Sequence, residues 1–324
     1  MRPKVSIIGA GNTGASTAIW LAAKDLCDIV LLDVVDGLPQ GTAMDLQEAM
    51  PILGQSTDIT GTCDYADTAG SDVVIVTAGS ARRPGMSRED LVQGNAAVVS
   101  KAVEQAIRHS PETVLIILTN PVDSMAYLGY KLSGFPKQRV IGQSGILDSS
   151  RFRFLISREL GVSVESVHAV ILGGHGDAMV PMIRHSNVCG IPLTDLLPAD
   201  ALASIVERAR NRGTEIINLL KTRSSAFAPG AALTMMVEAI LQDTHRVMTC
   251  SVYCEGEFGL NGVYFGVPVQ IGRGGAERII QFPLTSEEQA AVDASAERIR
   301  KSISGLTPFL PEARRSARGR RRDP

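Results

Sequence analysis

The sequence predicts an α/β fold: a doubly wound parallel sheet followed by a mixed α+β domain. Three observations predict it. The first half alternates short, β-branched apolar runs with amphipathic stretches, the order that builds strand–helix–strand units. Those runs are nearly continuous in apolar residues, as expected of strands covered on both faces. Past residue 143 the rhythm gives way to longer helical patterns and a glycine-rich alternating segment over residues 256–275, typical of hairpins and meanders.

The elements follow in order. Strands are expected at residues 5–8, 29–32, 73–77, 114–119 and 139–141, with amphipathic stretches at 13–24 and 88–109. A helix over about 147–160 leads to the apolar run 167–172, which reads as one buried strand ending at His175. Further helical patterns run from Pro198 to about Leu220 and onward from Pro229. No internal repeat is visible. The chain is therefore divided into residues 1–143, residues 144–312 and a tail, 313–324, that carries Arg314, Arg315, Arg318, Arg320, Arg321 and Arg322. A terminal basic run reads as a solvated, disordered tail.

Composition excludes several classes. A chain of 324 residues that is 44% hydrophobic and 20% charged fits a soluble protein of about two domains. A net charge of -2 gives no reason to expect nucleic acid as a partner. No apolar run approaches the roughly 18 residues of a membrane span. Met1-Arg2-Pro3-Lys4-Val5 enters a strand at once, leaving no room for a signal peptide, so a cytoplasmic protein is expected. The cysteines, Cys27, Cys63, Cys189, Cys250 and Cys254, are scattered and odd in number. They read as core or filler positions, without metal or disulfide.

Gly9-Ala10-Gly11-Asn12-Thr13-Gly14 is G-x-G-x-x-G, a weak pattern alone. Here it follows the first strand and opens a helix, as a dinucleotide-binding turn requires. Gly9 makes the tight turn, Gly11 lets a pyrophosphate approach the backbone, and Gly14 lets helix and strand pack. The helix N-terminus offers free N–H groups to the phosphates. Asp33 ends the second strand, 19 residues after Gly14. Its carboxylate can accept both ribose hydroxyls and repels a 2′-phosphate, and Val34-Val35-Asp36 supplies no arginine to offset that, so NAD is expected over NADP.

Gly173-Gly174-His175-Gly176-Asp177 carries the chemistry. A histidine among glycines at the end of a strand can be approached closely by a ligand, and an imidazole titrating near about 6.5 suits proton transfer. Upstream lies Leu147-Asp148-Ser149-Ser150-Arg151. Asp148 can orient the imidazole and raise its pKa. Arg151, three residues on and on the same helical face, can grip a carboxylate with a two-pronged hydrogen bond. Asp148 could equally cap a helix N-terminus. His109, His168, His185 and His245 lack comparable settings and read as structural or solvated. Asn120 ends a strand in the crevice where parallel sheets bind ligands, and its amide can orient a substrate and the nicotinamide; a turn before Pro121 is the alternative.

Taken in order, the GAGNTG turn, Asp33, Thr77-Ala78-Gly79, the loop from Arg82 to Arg88, Thr119-Asn120-Pro121-Val122-Asp123, Leu147-Asp148-Ser149-Ser150-Arg151-Phe152 and Gly173-Gly174-His175-Gly176-Asp177 resemble the lactate/malate dehydrogenase family, and within it the lactate-dehydrogenase-like malate dehydrogenases. The resemblance spans residues 5 to about 180 and weakens toward residue 282. It implies a Rossmann domain with NAD as cofactor, His175 and Asp148 as the proton-transfer pair, and Arg82, Arg88, Asn120 and Arg151 on the substrate. It implies cofactor contacts at Gly9 to Gly14, Asp33, Asn95, Leu118, Thr119 and Asn120. It also implies a homotetramer, or at least a homodimer.

The substrate turns on Ala81-Arg82-Arg83-Pro84-Gly85-Met86-Ser87-Arg88, a segment with the makeup of a lid. Lactate offers that lid only a methyl group; malate offers a second carboxylate. Closing an arginine over a methyl leaves a buried charge unpaired, at a cost of about 3–5 kcal/mol. Lactate enzymes usually carry glutamine where Arg82 stands, so Arg82 favours malate and oxaloacetate, with Arg88 polarising the reacting carbonyl and Arg83 facing solvent. The chain departs from the family at Arg223, where relatives usually show glycine, and at Ala226 and Phe227, where they show aromatics. Arg223 could alter pocket charge or affinity. Two rivals remain: a lactate or broader 2-hydroxy-acid dehydrogenase, and a catalytically silent NAD-binding protein. The presence of His175, Asp148 and Arg151 together speaks against the second.

Overall fold

The structure is a computed structural model that describes residues 2–80 and 88–311. Arg82, Arg83 and the basic tail lie outside the described residues, as does the side chain of Arg88. Six strands form the parallel part of the sheet: β1 (Lys4–Ile8), β2 (Asp28–Leu32), β3 (Ile59–Thr62), β4 (Val73–Val76), β5 (Val114–Ile117) and β6 (Val140–Gly142). Their spatial order is β3-β2-β1-β4-β5-β6, the doubly wound arrangement in which the order reverses between β1 and β4. Alternate residues of each strand enter different cores. Ile7, Ile29 and Ile75 pack on one face; Ile8, Val74 and Val76 pack on the other. Both faces need helices, which is why these strands are apolar throughout.

Helices α1 (Asn12–Ala23), α2 (Leu38–Leu53), α3 (Arg88–His109) and α4 (Val122–Ser133) supply that cover. Leu21 of α1 joins the first core, while Val99 and Val103 of α3 and Met125 and Leu128 of α4 join the second. Each such side chain contributes about 1.5–3 kcal/mol on burial. The parallel strands all end at one edge. Gly9, Asp33, Thr77, Leu118 and Gln143 each follow a strand there, so the crevice outside the carboxyl ends collects them.

The second half begins with α5 (Gly145–Leu160) and continues through β7 (Val167–His168), β8 (Ile171–Gly173), β9 (Met179–Pro181), β10 (Asn187–Val188), β11 (Ile191–Pro192), α6 (Leu193–Leu196), α7 (Ala199–Leu220), α8 (Phe227–Leu241), β12 (Arg246–Glu255), β13 (Asn261–Gly272), β14 (Gly275–Ile279) and α9 (Ser286–Ser304). The sheet does not stop at β6: β12 joins it antiparallel, with Ser251 opposite Gly142, and the order runs on through β13, β8 and β9. The His175 loop is thus carried by the same sheet as the Gly9 turn.

One expectation is corrected. The run 167–172 is not a single strand. Val167 and His168 pair with β10 in a small separate sheet, whereas Ile171 to Gly173 pair with β9 and β13 in the large one. An apolar run cannot reveal such a break, because Val167 of the first piece and all of the second are buried. The patterns argued above also omit β3, α2, α4 and α9. The start of α9 did carry a signal, since Thr285 and Glu288 form a reciprocal capping box. Among the described residues no helix is long and apolar enough to cross a membrane.

Candidate active site

The nucleotide turn has the geometry its glycines imply. Gly9 adopts φ +116°, and a Cβ at Gly14 would stand 1.8 Å from the Gly9 carbonyl oxygen, so helix and turn touch backbone to backbone. Around Gly11 nothing lies within 4 Å of the corresponding position, which leaves the α1 N-terminus open to a diphosphate. Asn12 is exposed and Thr13 half-buried beside it, while Ala10 is buried. The Ala10 N–H donates to Asp33 Oδ2 at 2.8 Å, and the Val35 N–H donates to Oδ1 at 3.1 Å. The carboxylate is thereby held at the rim of the crevice.

Thr119 and Asn95 brace the loops that follow β4 and β5. Thr119 donates to the Ala78 carbonyl at 2.7 Å, and Leu118 lies half-buried one residue before it. The Asn95 amide accepts from the Ser80 N–H at 2.8 Å and donates to the carbonyls of Ser80 (3.1 Å) and Asn120 (2.7 Å). Asn95 is 1% exposed. Its amide ties the Ser80 and Asn120 loops together, at the position where the resemblance implied a cofactor contact. Asn120 itself is exposed at the carboxyl end of β5, before a cis peptide to Pro121. Gln143, in the equivalent place after β6, is 1% exposed, and neither its amide oxygen nor its amide nitrogen has a hydrogen-bond partner among the described residues. The open turn at Gly11, the rim carboxylate of Asp33 and this unpartnered amide all fit a dinucleotide with a polar head group.

The structure brings Asp148, Arg151 and His175 together. Asp148 lies in the first turn of α5, but the N-cap is Ser144 and Asp148 makes no cap bond. Its Oδ2 instead meets His175 Nδ1 at 2.9 Å, and its Oδ1 faces Arg151 Nη1 at 3.4 Å. The side chains of Asp148, Arg151 and His175 are 2%, 11% and 17% exposed. Burial opposes charge on the His175 ring, but the neighbouring Asp148 carboxylate and its hydrogen bond outweigh it, so the imidazole pKa is raised. Burial lowers the Arg151 pKa, Asp148 opposes that, and Arg212 adds to it; a guanidinium stays charged regardless.

Arg151 borders a cavity of about 190 Å³ lined also by Leu147, Arg212, Ser225 and Ala228. Gly213 of α7 lies beside the guanidinium: a Cβ there would stand in ordinary contact, 3.4 Å from Nη1. Arg223, which could alter pocket charge or affinity, is exposed and is not among the residues lining this cavity. Its backbone belongs to the bend after α7. The other histidines take ordinary places. His185 stacks on Phe282 at 4.1 Å between centroids, and His245 bonds Glu277 on the surface.

Sequence reasoning did not single out Asp123, Ser251 or Ser295, which hold the His175 loop from behind. The signal was available for Ser251, a hydroxyl inside an apolar strand that must find a partner when buried. Asp123 stood inside a quoted motif without a role.

Comparison with known proteins gives these motifs a common source. Residues 3–142 match lactate/malate dehydrogenase, NAD binding domain, and residues 146–310 match lactate/malate dehydrogenase, alpha/beta C-terminal domain. A malate dehydrogenase of Roseiflexus castenholzii is 52% identical over 306 residues, covering 94% of this chain and 99% of that protein. The apo structure of malate dehydrogenase from Picrophilus torridus superposes with a TM-score of 0.93 at 44% identity, covering 95% and 98% of the two chains. The lactate dehydrogenase of Cryptosporidium parvum, solved with lactic acid and nicotinamide adenine dinucleotide, superposes with a TM-score of 0.92 at 38% identity, covering 95% and 98%. This chain belongs to the lactate/malate dehydrogenase family.

Proposed function

We propose that this chain is an NAD-dependent malate dehydrogenase that interconverts (S)-malate and oxaloacetate. The observation that carries the reading is the Asp148–His175 pair at 2.9 Å with Arg151 beside it. Identity of about half the residues with proteins named malate dehydrogenase supports malate as the substrate. The backbone does not discriminate, because a lactate enzyme superposes as well as a malate enzyme.

The NAD ring, when bound, accepts or returns the hydride. The protein's part is positional and acid–base. Gly9 to Gly14 would hold the diphosphate, Asp33 the adenosine ribose, and Thr119, Asn120 and Gln143 would face the nicotinamide end. Arg151 grips the C1 carboxylate of the substrate. In the neutral ring His175 donates Nδ1–H to Asp148, which leaves Nε2 to take the malate hydroxyl proton as the C2–H bond breaks. Asp148 and the imidazolium then form a buried ion pair. Arg82 binds the second carboxylate and Arg88 polarises the carbonyl.

Steady-state rates with oxaloacetate and pyruvate, each with NADH and NADPH, test the reading. Oxaloacetate with NADH should show the highest kcat/KM; a higher kcat/KM for pyruvate overturns the malate assignment. The raised pKa of His175 gives a second test with a definite sign. Malate oxidation needs the neutral imidazole, so its kcat/KM should rise with pH through a value above the ordinary imidazole pKa of about 6.5. Oxaloacetate reduction needs the imidazolium and should fall through the same value. Initial rates in both directions from pH 5 to 9 measure it, and Asp148→Asn should move both limbs to lower pH.

The division at residue 143 into a nucleotide-binding and a catalytic unit, with 313–324 as a tail, belongs to the same proposal. So does a cytoplasmic homotetramer. Exposed Leu38, Met44, Ile52 and Leu53 along α2 support a self-contact on that face.

A further inference from the structure

Among the described residues two acidic side chains are buried, Asp148 and Asp123. Asp148 belongs to the chemistry above. Asp123 is 6% exposed and both its oxygens are taken. Oδ2 accepts the backbone N–H of His175 at 3.1 Å, and Oδ1 accepts the Ser251 hydroxyl at 2.6 Å. These partners stand 52 and 128 residues away along the chain.

We propose that Asp123 is a positioning residue that locks the His175 loop to the Asn120 turn, fixing the proton carrier relative to the hydride path. The proposal rests on the dehydrogenase reading. Its first support is the weakness of the loop itself. Gly173 and Gly176 have φ +100° and +83°, and Gly174 lies between them, so the segment has little intrinsic stiffness. Its conformation must come from outside. Ser295 of α9 accepts the Gly174 N–H at 3.0 Å and donates to the Ala178 carbonyl at 2.7 Å. Asp123 takes the next N–H, that of His175. A Cβ at Gly174 would stand 3.3 Å from Asp123 Oδ2 and 3.1 Å from Ala178 Cβ, so the loop lies flat against these anchors.

The second support is where Asp123 sits. It is in the first turn of α4, three residues after Asn120, and the α4 helix is packed into the core beside β5 and β6. A rigid helix start therefore carries Asn120 on one side and the His175 loop on the other. Ser251, on β12 opposite Gly142, fixes the carboxylate's rotation. The third support is the residue type. Two donors converge on it, and a carboxylate accepts both. Burial raises its pKa, while the Ser251 and His175 bonds oppose that.

The variants Asp123→Asn and Asp123→Ala separate positioning from charge. Asparagine can accept the His175 N–H through its oxygen while the Ser251 hydroxyl turns to accept from its amide, so it keeps both bonds and loses the charge. Alanine loses both. In Asp123→Ala, kcat for oxaloacetate reduction should fall about 10–100-fold, the scale of a small misplacement of reacting groups. The dissociation constant for NADH should stay within about twofold, because the turn at Gly9 to Gly14 is untouched. The primary isotope effect with 4-deuterated NADH should rise as hydride transfer becomes limiting, and Asp123→Asn should recover most of the rate. Peptide-level hydrogen exchange across residues 173–178 in the ligand-free protein should be faster in Asp123→Ala. That readout does not depend on which 2-oxo acid is reduced, so it separates failure of this proposal from failure of the malate reading. Unchanged exchange, or an unchanged kcat and isotope effect in folded Asp123→Ala, overturns the proposal. An asparagine variant as impaired as alanine also overturns it, since charge would then be the operative property. If the alanine variant does not fold, Ser251→Ala takes its place: a smaller loss of kcat with a raised isotope effect is expected, and wild-type values overturn the proposal.

Discussion

Replacing His175 with asparagine is expected to lower kcat about 10²–10⁴-fold, the usual contribution of a positioned acid–base group, while NADH still binds. Asparagine can donate to Asp148 but cannot take a proton at neutral pH. The fold should survive the change. Asp148 keeps Arg151 at 3.4 Å as a charge partner, and the backbone N–H of residue 175 keeps its bond to Asp123. A buried carboxylate with no remaining partner would have cost far more. Steady-state kinetics beside an NADH fluorescence titration measure both halves of the prediction. Retention of most of the turnover would remove His175 as the proton carrier.

Replacing Arg82 with glutamine should shift preference from oxaloacetate toward pyruvate. A buried arginine facing a methyl costs about 3–5 kcal/mol, which is on the order of 10²–10³-fold or more in kcat/KM. Most of the change should appear as lost oxaloacetate activity, because glutamine cannot form a two-pronged ion pair with the second carboxylate. The ratio of kcat/KM values for the two acids before and after the change measures it, and an unaltered ratio would mean that specificity lies elsewhere in the pocket. The fold offers no shortcut here. Lactate and malate enzymes superpose on this chain alike, so side chains rather than the backbone must carry the distinction.

The sequence was readable where its information is local. A doubly buried strand is apolar throughout, so β1, β2, β4 and β5 announced themselves within a residue or two of their ends. The turn at Gly9 was readable because three glycines at fixed spacing have a steric cause, which the 1.8 Å approach at Gly14 makes concrete. His175, Asp148 and Arg151 were readable by residue type and by setting: glycines around one, helical spacing between the others. Asn95 shows the limit. Its buried amide serves two loops that meet only in the folded chain, and a residue 25 positions from Asn120 gives no local hint of that bond.

By itself, then, the sequence determined the parallel α/β half and the dinucleotide turn with its carboxylate, and it singled out the three groups of the proposed proton-transfer site and the arginine proposed to meet a second substrate carboxylate. Each follows from a periodicity, a spacing or a charge confined to a few neighbouring residues. Only the tertiary structure decided that the run 167–172 splits between two sheets, that Arg223 is exposed, that Asn95 braces loops, and that Asp123 and Ser295 bond the His175 loop while Ser251 bonds Asp123. Those are hydrogen bonds and packing contacts between residues far apart in the chain, and a partner at that distance leaves no periodic trace in the sequence.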